Sequence, residues 1–181
     1  KGKIAVDFAM HALCTNSKYP TMFDEIPKLP DHGVPTMKLF LAYKPTSLYT
    51  DDAVFFKAMK LAAEAGVTMY AHAENADLLN LLRDEAFNKG LTEPKYHYMT
   101  RPPFVEAETI QRAILLADEA HCPLCIVHIS SKEGAAIVKS ARERGIAVVG
   151  ETCTHYLTLD QSLMDNPDFD VACRWVCSPA L

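Results

Sequence analysis

The chain has 181 residues, 49% hydrophobic and 23% charged, with 7 Gly and 11 Pro, enough apolar material for a buried core and too much for intrinsic disorder. A formal net charge of −5, with Lys and Arg scattered through the chain, offers neither a basic stripe for nucleic acid nor a polybasic cluster for a membrane, and is compatible with a small uncharged or anionic substrate. No apolar run approaches the roughly 20 residues of a membrane span and the N-terminus lacks a signal-peptide pattern, so the chain reads as cytoplasmic.

In chain order, "KIAVDFAMHA" (3–12) has strand character and "FDEIPKLPDHG" (23–33) reads as a short helix ending near Gly33. "TMKLFLAY" (36–43) is the second strand. From Asp51 the apolar positions Val54, Phe55, Ala58, Met59, Ala62 and Ala65 recur at helical spacing, with Gly66 as the stop. "VTMYAH" (67–72) is the third strand and "NADLLNLLRDEAFNKG" (75–90) another helix. "LTEPKYHYMTRPP" (91–103) reads as a loop leading into a helix over "EAETIQRAILLADEA" (106–120). "LCIVHI" (124–129) is the fourth strand. Ser130 and Glu133 make an S-x-x-E capping box for the helix over 132–145, "IAVVGET" (146–152) is the fifth strand, and "HYLTLDQSLMD" (155–165) its successor helix.

Short, nearly continuous apolar strands separated by amphipathic helices indicate a covered parallel sheet and an α/β fold. Doubly wound sheets and (β/α)8 barrels share this rhythm, and periodicity does not choose between them. The common phosphate-binding glycine loops are absent, which removes the usual nucleotide-binding versions of the doubly wound sheet. Six cysteines (Cys14, Cys122, Cys125, Cys153, Cys173 and Cys177) are unevenly spaced, and reduced thiols are the default reading. "CPLC" with "CRWVC" leaves a four-sulfur zinc site as the alternative.

The chemistry-bearing residues stand at strand ends. His72 closes the third strand and His128 nearly closes the fourth, which places both at the carboxyl edge where α/β active sites are built. Each reads either as a satisfied core histidine or as a metal ligand, imidazole being the commonest nitrogen ligand for zinc. Lys38 lies inside the apolar second strand, where an unpaired ammonium costs several kcal/mol to bury. Either it reaches the rim, or burial yields a neutral amine able to add CO2 and become a carbamate that bridges two metals.

"KLFLAYK" (38–44), "HAEN" (72–75), "RPPFVEAET" (101–109), "IVHISS" (126–131), "ETCTHYL" (151–157) and "CSPAL" (177–181) resemble, in order along nearly the whole chain, the signatures of the dihydropyrimidinase and hydantoinase family of cyclic amidohydrolases. The resemblance implies a (β/α)8 TIM-like barrel with two zinc ions, replaceable by manganese or cobalt, and a homo-oligomer, a tetramer in that family. It implies that Lys38 is the carboxylated bridging lysine, that His72 and His128 bind one metal, that the Tyr43 hydroxyl stabilises an oxyanion, and that the main chain at Ser178 holds the substrate. The implied reaction is opening of a small cyclic ureide, a dihydropyrimidine or 5-substituted hydantoin, to an N-carbamoyl amino acid by a hydroxide held between the metals.

Two parts of that machinery are missing. The family's His-x-His pair occurs nowhere in the chain, its catalytic aspartate would lie beyond Leu181, and "CSPAL" departs from the usual "CSPPLR". A complete barrel takes about 250 residues. The expectation is therefore a central fragment, 1–181, of about five strand–helix units of a longer enzyme, lacking its first and last strands and inactive when isolated. A non-catalytic scaffold of the same family, or a cyclic amidohydrolase such as allantoinase or dihydroorotase, is the competing reading.

Overall fold

A computed structural model describes residues 2–3, 5–14 and 21–181. Five strands, β1 (Ala12–Leu13), β2 (Thr36–Phe40), β3 (Thr68–His72), β4 (Leu124–Ile126) and β5 (Val148–Gly150), form one wholly parallel sheet in the order β1-β2-β3-β4-β5. Strand order equal to chain order is decisive between the two α/β architectures. A doubly wound sheet reverses direction at a switch point, whereas a barrel adds each strand beside the last and keeps every crossover helix on one side.

The helices are α1 (Thr21–Glu25), α2 (Asp52–Ala65), α3 (Ala76–Asn88), α4 (Lys95–Met99), α5 (Pro103–Glu119), α6 (Lys132–Glu143) and α7 (Phe169–Ala172). α2 packs on α5 and α5 on α6, forming one outer layer. That layer meets Met37, Leu39, Met69, Ala71, Leu124, Ile126 and Val148 of the sheet with Phe55, Met59, Ile110, Ile114 and Val138 of the helices. Burying one such large apolar side chain contributes roughly 1.5 to 3 kcal/mol.

Because side chains alternate along a strand, the opposite face carries Leu13, Lys38, Tyr70, Cys125 and Val149, all in register. Leu13 and Val149 on that inner face are 51% and 46% exposed.

Helix boundaries follow local chemistry. The Asp51 carboxylate accepts from Val54 N at the start of α2, and Gly66, with φ of 71°, closes it through a left-handed turn. Asn75 caps α3 by accepting from Asp77 N and Leu78 N.

Five expectations are corrected, beginning with the helix over 23–33, which is the end of α1 followed by two 3-10 turns, Ile26–Lys28 and Pro30–His32, stopped at Gly33 as expected. The first strand covers only Ala12 and Leu13 and not 3–12, whose Ile4 lies outside the described residues. Ala12 is registered on Met37, so a continuation towards the N-terminus would run past Thr36 onto Pro35, which has no N–H to offer. The cap of α6 is Ser131, whose Oγ accepts from Gly134 N, because Ser130 is held instead by Glu106. The stretch read as loop over 91–103 contains α4. The helix expected over 155–165 is two 3-10 turns, Thr154–Leu157 and Gln161–Asp165. Asp160 interrupts it with an extended backbone and a side chain that accepts from Ser162 N.

Candidate active site

Lys38 and Phe40 of β2 share the inner face with Tyr70 and His72 of β3, since Lys38 pairs with Tyr70 and Phe40 with His72. His72 is fully buried, and its ring centroid lies 5.7 Å from Phe40, 4.9 Å from Tyr43 and 4.5 Å from His128. Lys38 is half-buried, with Nζ 5.0 Å from the Phe40 ring. Burial pulls its amine below the ordinary lysine value, opposed by Glu151, Cys153 and Cys125.

His128 reaches this cluster by breaking the alternation of its strand. Two residues beyond Ile126, an extended backbone would aim it at the helix layer with Ile126. Its φ is 42°, and the ring turns to meet His72 edge-on. Tyr43, beyond the end of β2, also has a positive φ, 68°. Only three described non-glycine residues have positive φ, and two of them are these. Such backbone costs on the order of 1 kcal/mol or more and gathers at functional sites.

Glu106 stabilises the turn after His128. Buried near the start of α5, its carboxylate accepts from Ser130 N at 3.0 Å and Ser131 N at 2.9 Å, and from the Ser131 hydroxyl. A side chain at Gly134 would meet Ile110 Cδ1 at 2.7 Å, so glycine is what lets α6 approach α5 here.

His128 Nδ1 is buried without a hydrogen-bond partner. Burial, reinforced by the charges of His72 and Lys38, pushes the ring down to about 3, so it is a neutral donor at neutral pH. Its folded value lies below the unfolded one of about 6.5, so the unfolded chain binds more protons between the two. The ligand-free protein is expected to lose stability as pH falls from about 6.5 towards 3, by at most about 1.4 kcal/mol per pH unit from this group. Urea midpoints at several pH values check this; a flat profile across that window would contradict it.

On the other side of His72, Nε2 lies 2.7 Å from Glu74 Oε2, and Arg101 Nε lies 3.8 Å from Glu74 Oε1. Burial raises the Tyr43 hydroxyl above the ordinary tyrosine value, with Glu74 raising it further and Arg101 opposing, so it stays protonated and able to donate at neutral pH. Ser178 is exposed. The Cys177 carbonyl before it accepts from His97 Nε2 at 2.6 Å, and the Pro179 carbonyl after it accepts from the Tyr156 hydroxyl at 2.7 Å.

The structure thus gathers Lys38, His72, His128 and Tyr43 around one inner-face site and leaves Ser178 on a separate braced segment. Among the described residues no three His, Cys, Asp or Glu side chains converge to hold a metal, which removes the four-cysteine alternative. The donors present at the site are the two imidazoles and the lysine. Sequence reasoning assigned no role to Glu74, Arg101, Glu106 or His97. Their signal was the charge inside "HAEN" and "RPPFVEAET", strings rich in groups that a core does not hold unpaired.

The dihydro-orotase-like family model matches residues 39–134, just over half of the chain. The chain belongs to that family. Within it, the chain is 37% identical to a D-hydantoinase of Ralstonia pickettii over 178 residues, 98% of this chain and 38% of the relative. The dihydro-orotase-like fold is equally clear in solved structures. D-hydantoinase from a Bacillus sp. AR9 superposes with a TM-score of 0.91 at 38% identity, over 97% of this chain and 38% of that one. Dihydropyrimidinase from Brevibacillus agri NCHU1002 does so with a TM-score of 0.91 at 37% identity, with the same coverage. The chain therefore spans about 38% of the length of these relatives.

Proposed function

We propose that this chain is the central portion of a cyclic amidohydrolase that opens dihydropyrimidines or 5-substituted hydantoins to N-carbamoyl amino acids. One observation carries the reading: a lysine of lowered basicity, a buried imidazole and a half-buried one, on or just beyond three adjacent strands, meet at the carboxyl edge of a barrel-type sheet, with one imidazole nitrogen left unpartnered. The similarity to D-hydantoinases and a dihydropyrimidinase supports it.

The donor set fits divalent metal. His128 presents a neutral ring with a free nitrogen, His72 has one nitrogen occupied by Glu74 and the other available, and Lys38 has the depressed basicity that lets its amine add CO2, losing a proton to become an anionic carbamate. Lys38, His72 and His128 would hold zinc, or manganese or cobalt at such nitrogen and oxygen donors. When bound, a pair of such ions supplies an activated water near neutral pH and polarises the ring carbonyl. Tyr43 donates its hydroxyl hydrogen bond to the carbonyl oxygen as it gains charge, and the main chain around Ser178 holds the ureide. We further propose a cytoplasmic homo-oligomer; no described helix is long and apolar enough to cross a membrane.

The full-length parent chain is expected to open dihydrouracil or a 5-substituted hydantoin in preference to allantoin or dihydroorotate, and to carry about two zinc ions. No metal and no turnover would favour the scaffold reading instead. The isolated span, with the apolar inner-face residues Leu13 and Val149 uncovered, is expected to show under about one hundredth of the parent rate, because strands at a sheet edge are prone to aggregate.

A further inference from the structure

The buried charges beside His72 continue well past it. Glu74 is 2% exposed and Arg101, at the end of the segment after α4, has a side chain 19% exposed. Arg101 Nε, buried and without a hydrogen-bond partner, faces Glu74 Oε1 as an ion pair at 3.8 Å, while its Nη1 lies 3.2 Å from His97 Nδ1 and 3.2 Å from the His97 carbonyl. His97 Nε2 in turn lies 2.6 Å from the Cys177 carbonyl and 3.4 Å from Ser178 Oγ.

Donor and acceptor chemistry fixes the protons along this chain of groups. A carbonyl only accepts, so His97 carries its proton on Nε2 and its Nδ1 accepts from the Arg101 guanidinium. At the other end, the Glu74 carboxylate accepts from His72 Nε2–H, which leaves His72 Nδ1 with its lone pair. One guanidinium therefore stands between two histidines whose ring forms the Cys177 carbonyl and the Glu74 carboxylate set: it holds the His97 ring by a direct contact and steadies by charge the carboxylate that holds His72. The fork of arginine suits this because its donors diverge in a fixed plane; a lysine ammonium reaches one partner or the other.

We infer that Arg101 is a positioning residue serving both halves of the site: it braces Glu74 against the metal-binding His72, and through His97 it braces the Cys177 carbonyl beside the substrate-holding Ser178. This rests on the amidohydrolase reading for the roles of His72 and Ser178. The brace itself is independent of that reading.

The test uses the full-length parent chain with 15N-labelled histidine. In the metal-free wild type, His72 and His97 are each expected as a single Nε2–H form. In Arg101→Met, the signals of both rings are expected to shift and broaden, because each ring or its partner loses the group that holds it in place. Zinc affinity should drop about 10- to 100-fold, as when the partner of a ligating histidine is lost. KM should rise about tenfold with kcat within about threefold, as expected when a ground-state contact is lost. Arg101→Lys is expected to restore only one of the two arms. Should Arg101→Met fail to fold with Glu74 left unpaired, the double variant Glu74→Met with Arg101→Met removes both charges and is expected to show the same KM loss through the His97 arm. Wild-type ring signals, zinc affinity and KM in a folded Arg101→Met, or a wild-type KM in the double variant, would overturn the inference. A wild type with the ring forms described but without ureide hydrolysis would sink the functional reading and leave the brace standing on the ring signals.

Discussion

Lys38→Ala in the full-length parent chain is expected to lower ureide opening by about a thousandfold or more and to take bound zinc well below one ion per chain. The lysine lies on the inner face in register with Tyr70, half-buried, and its amine is less basic than usual chiefly through desolvation. A neutral amine adds CO2; a guanidinium does not, so Lys38→Arg keeps the charge and loses the carbamate. The two variants are therefore expected to be equally inactive. Acetate or propionate at high concentration should restore part of the Lys38→Ala activity, because each supplies the lost carboxylate. Substantial turnover in Lys38→Arg, or rescue by methylamine and not by acetate, would show that the side chain acts as a cation.

Tyr43→Phe is expected to reduce kcat by about 100- to 1000-fold, the loss typical of removing one preorganised oxyanion donor, with KM changed less than about threefold. The ring is held 4.9 Å from His72 and 5.7 Å from Phe40 on a left-handed backbone, so its direction is set before substrate arrives. Because burial raises the hydroxyl above its ordinary value, no loss of activity below about pH 10 should trace to Tyr43 ionisation. A kcat for Tyr43→Phe within threefold of wild type would remove the residue from the reaction.

Much of the fold is legible in the sequence because its determinants are local. α2 starts at an aspartate that caps it and stops at a glycine that turns left-handed, both visible within a few residues. The strands β2 and β3 are short apolar runs with β-branched, aromatic and methionine residues, bounded by turn signals. Two of the errors arise where a distant partner decides. Pro35 and the pairing of Ala12 with Met37 cut the first strand to two residues. Glu106, 24 residues earlier in the chain, takes Ser130 and leaves the cap of α6 to Ser131. Asp160 satisfies a backbone donor locally and breaks a helix that apolar spacing favours.

The candidate site divides along the same line. Lys38, His72 and His128 stand out in sequence because a charged or polar group ends or interrupts an apolar run, and "KLFLAYK", "HAEN" and "IVHISS" carry the family resemblance. The braces Glu74, Arg101, His97 and Glu106 stayed unassigned because a buried charge is explained by its partner, and each partner here lies on another element.

By itself, the sequence determined the order and kind of the main strands and helices and the polar residues standing at strand ends, since hydrophobic period, caps and turn residues act over a few positions. Only the tertiary structure decided which face those residues serve. Alternation alone would send His128 into the helix layer, and the left-handed backbone that turns it towards His72 is seen where Glu106 grips the following loop. A strained local conformation of this kind persists when contacts from elsewhere in the chain over-determine it, and those contacts exist only once the strands have been laid side by side.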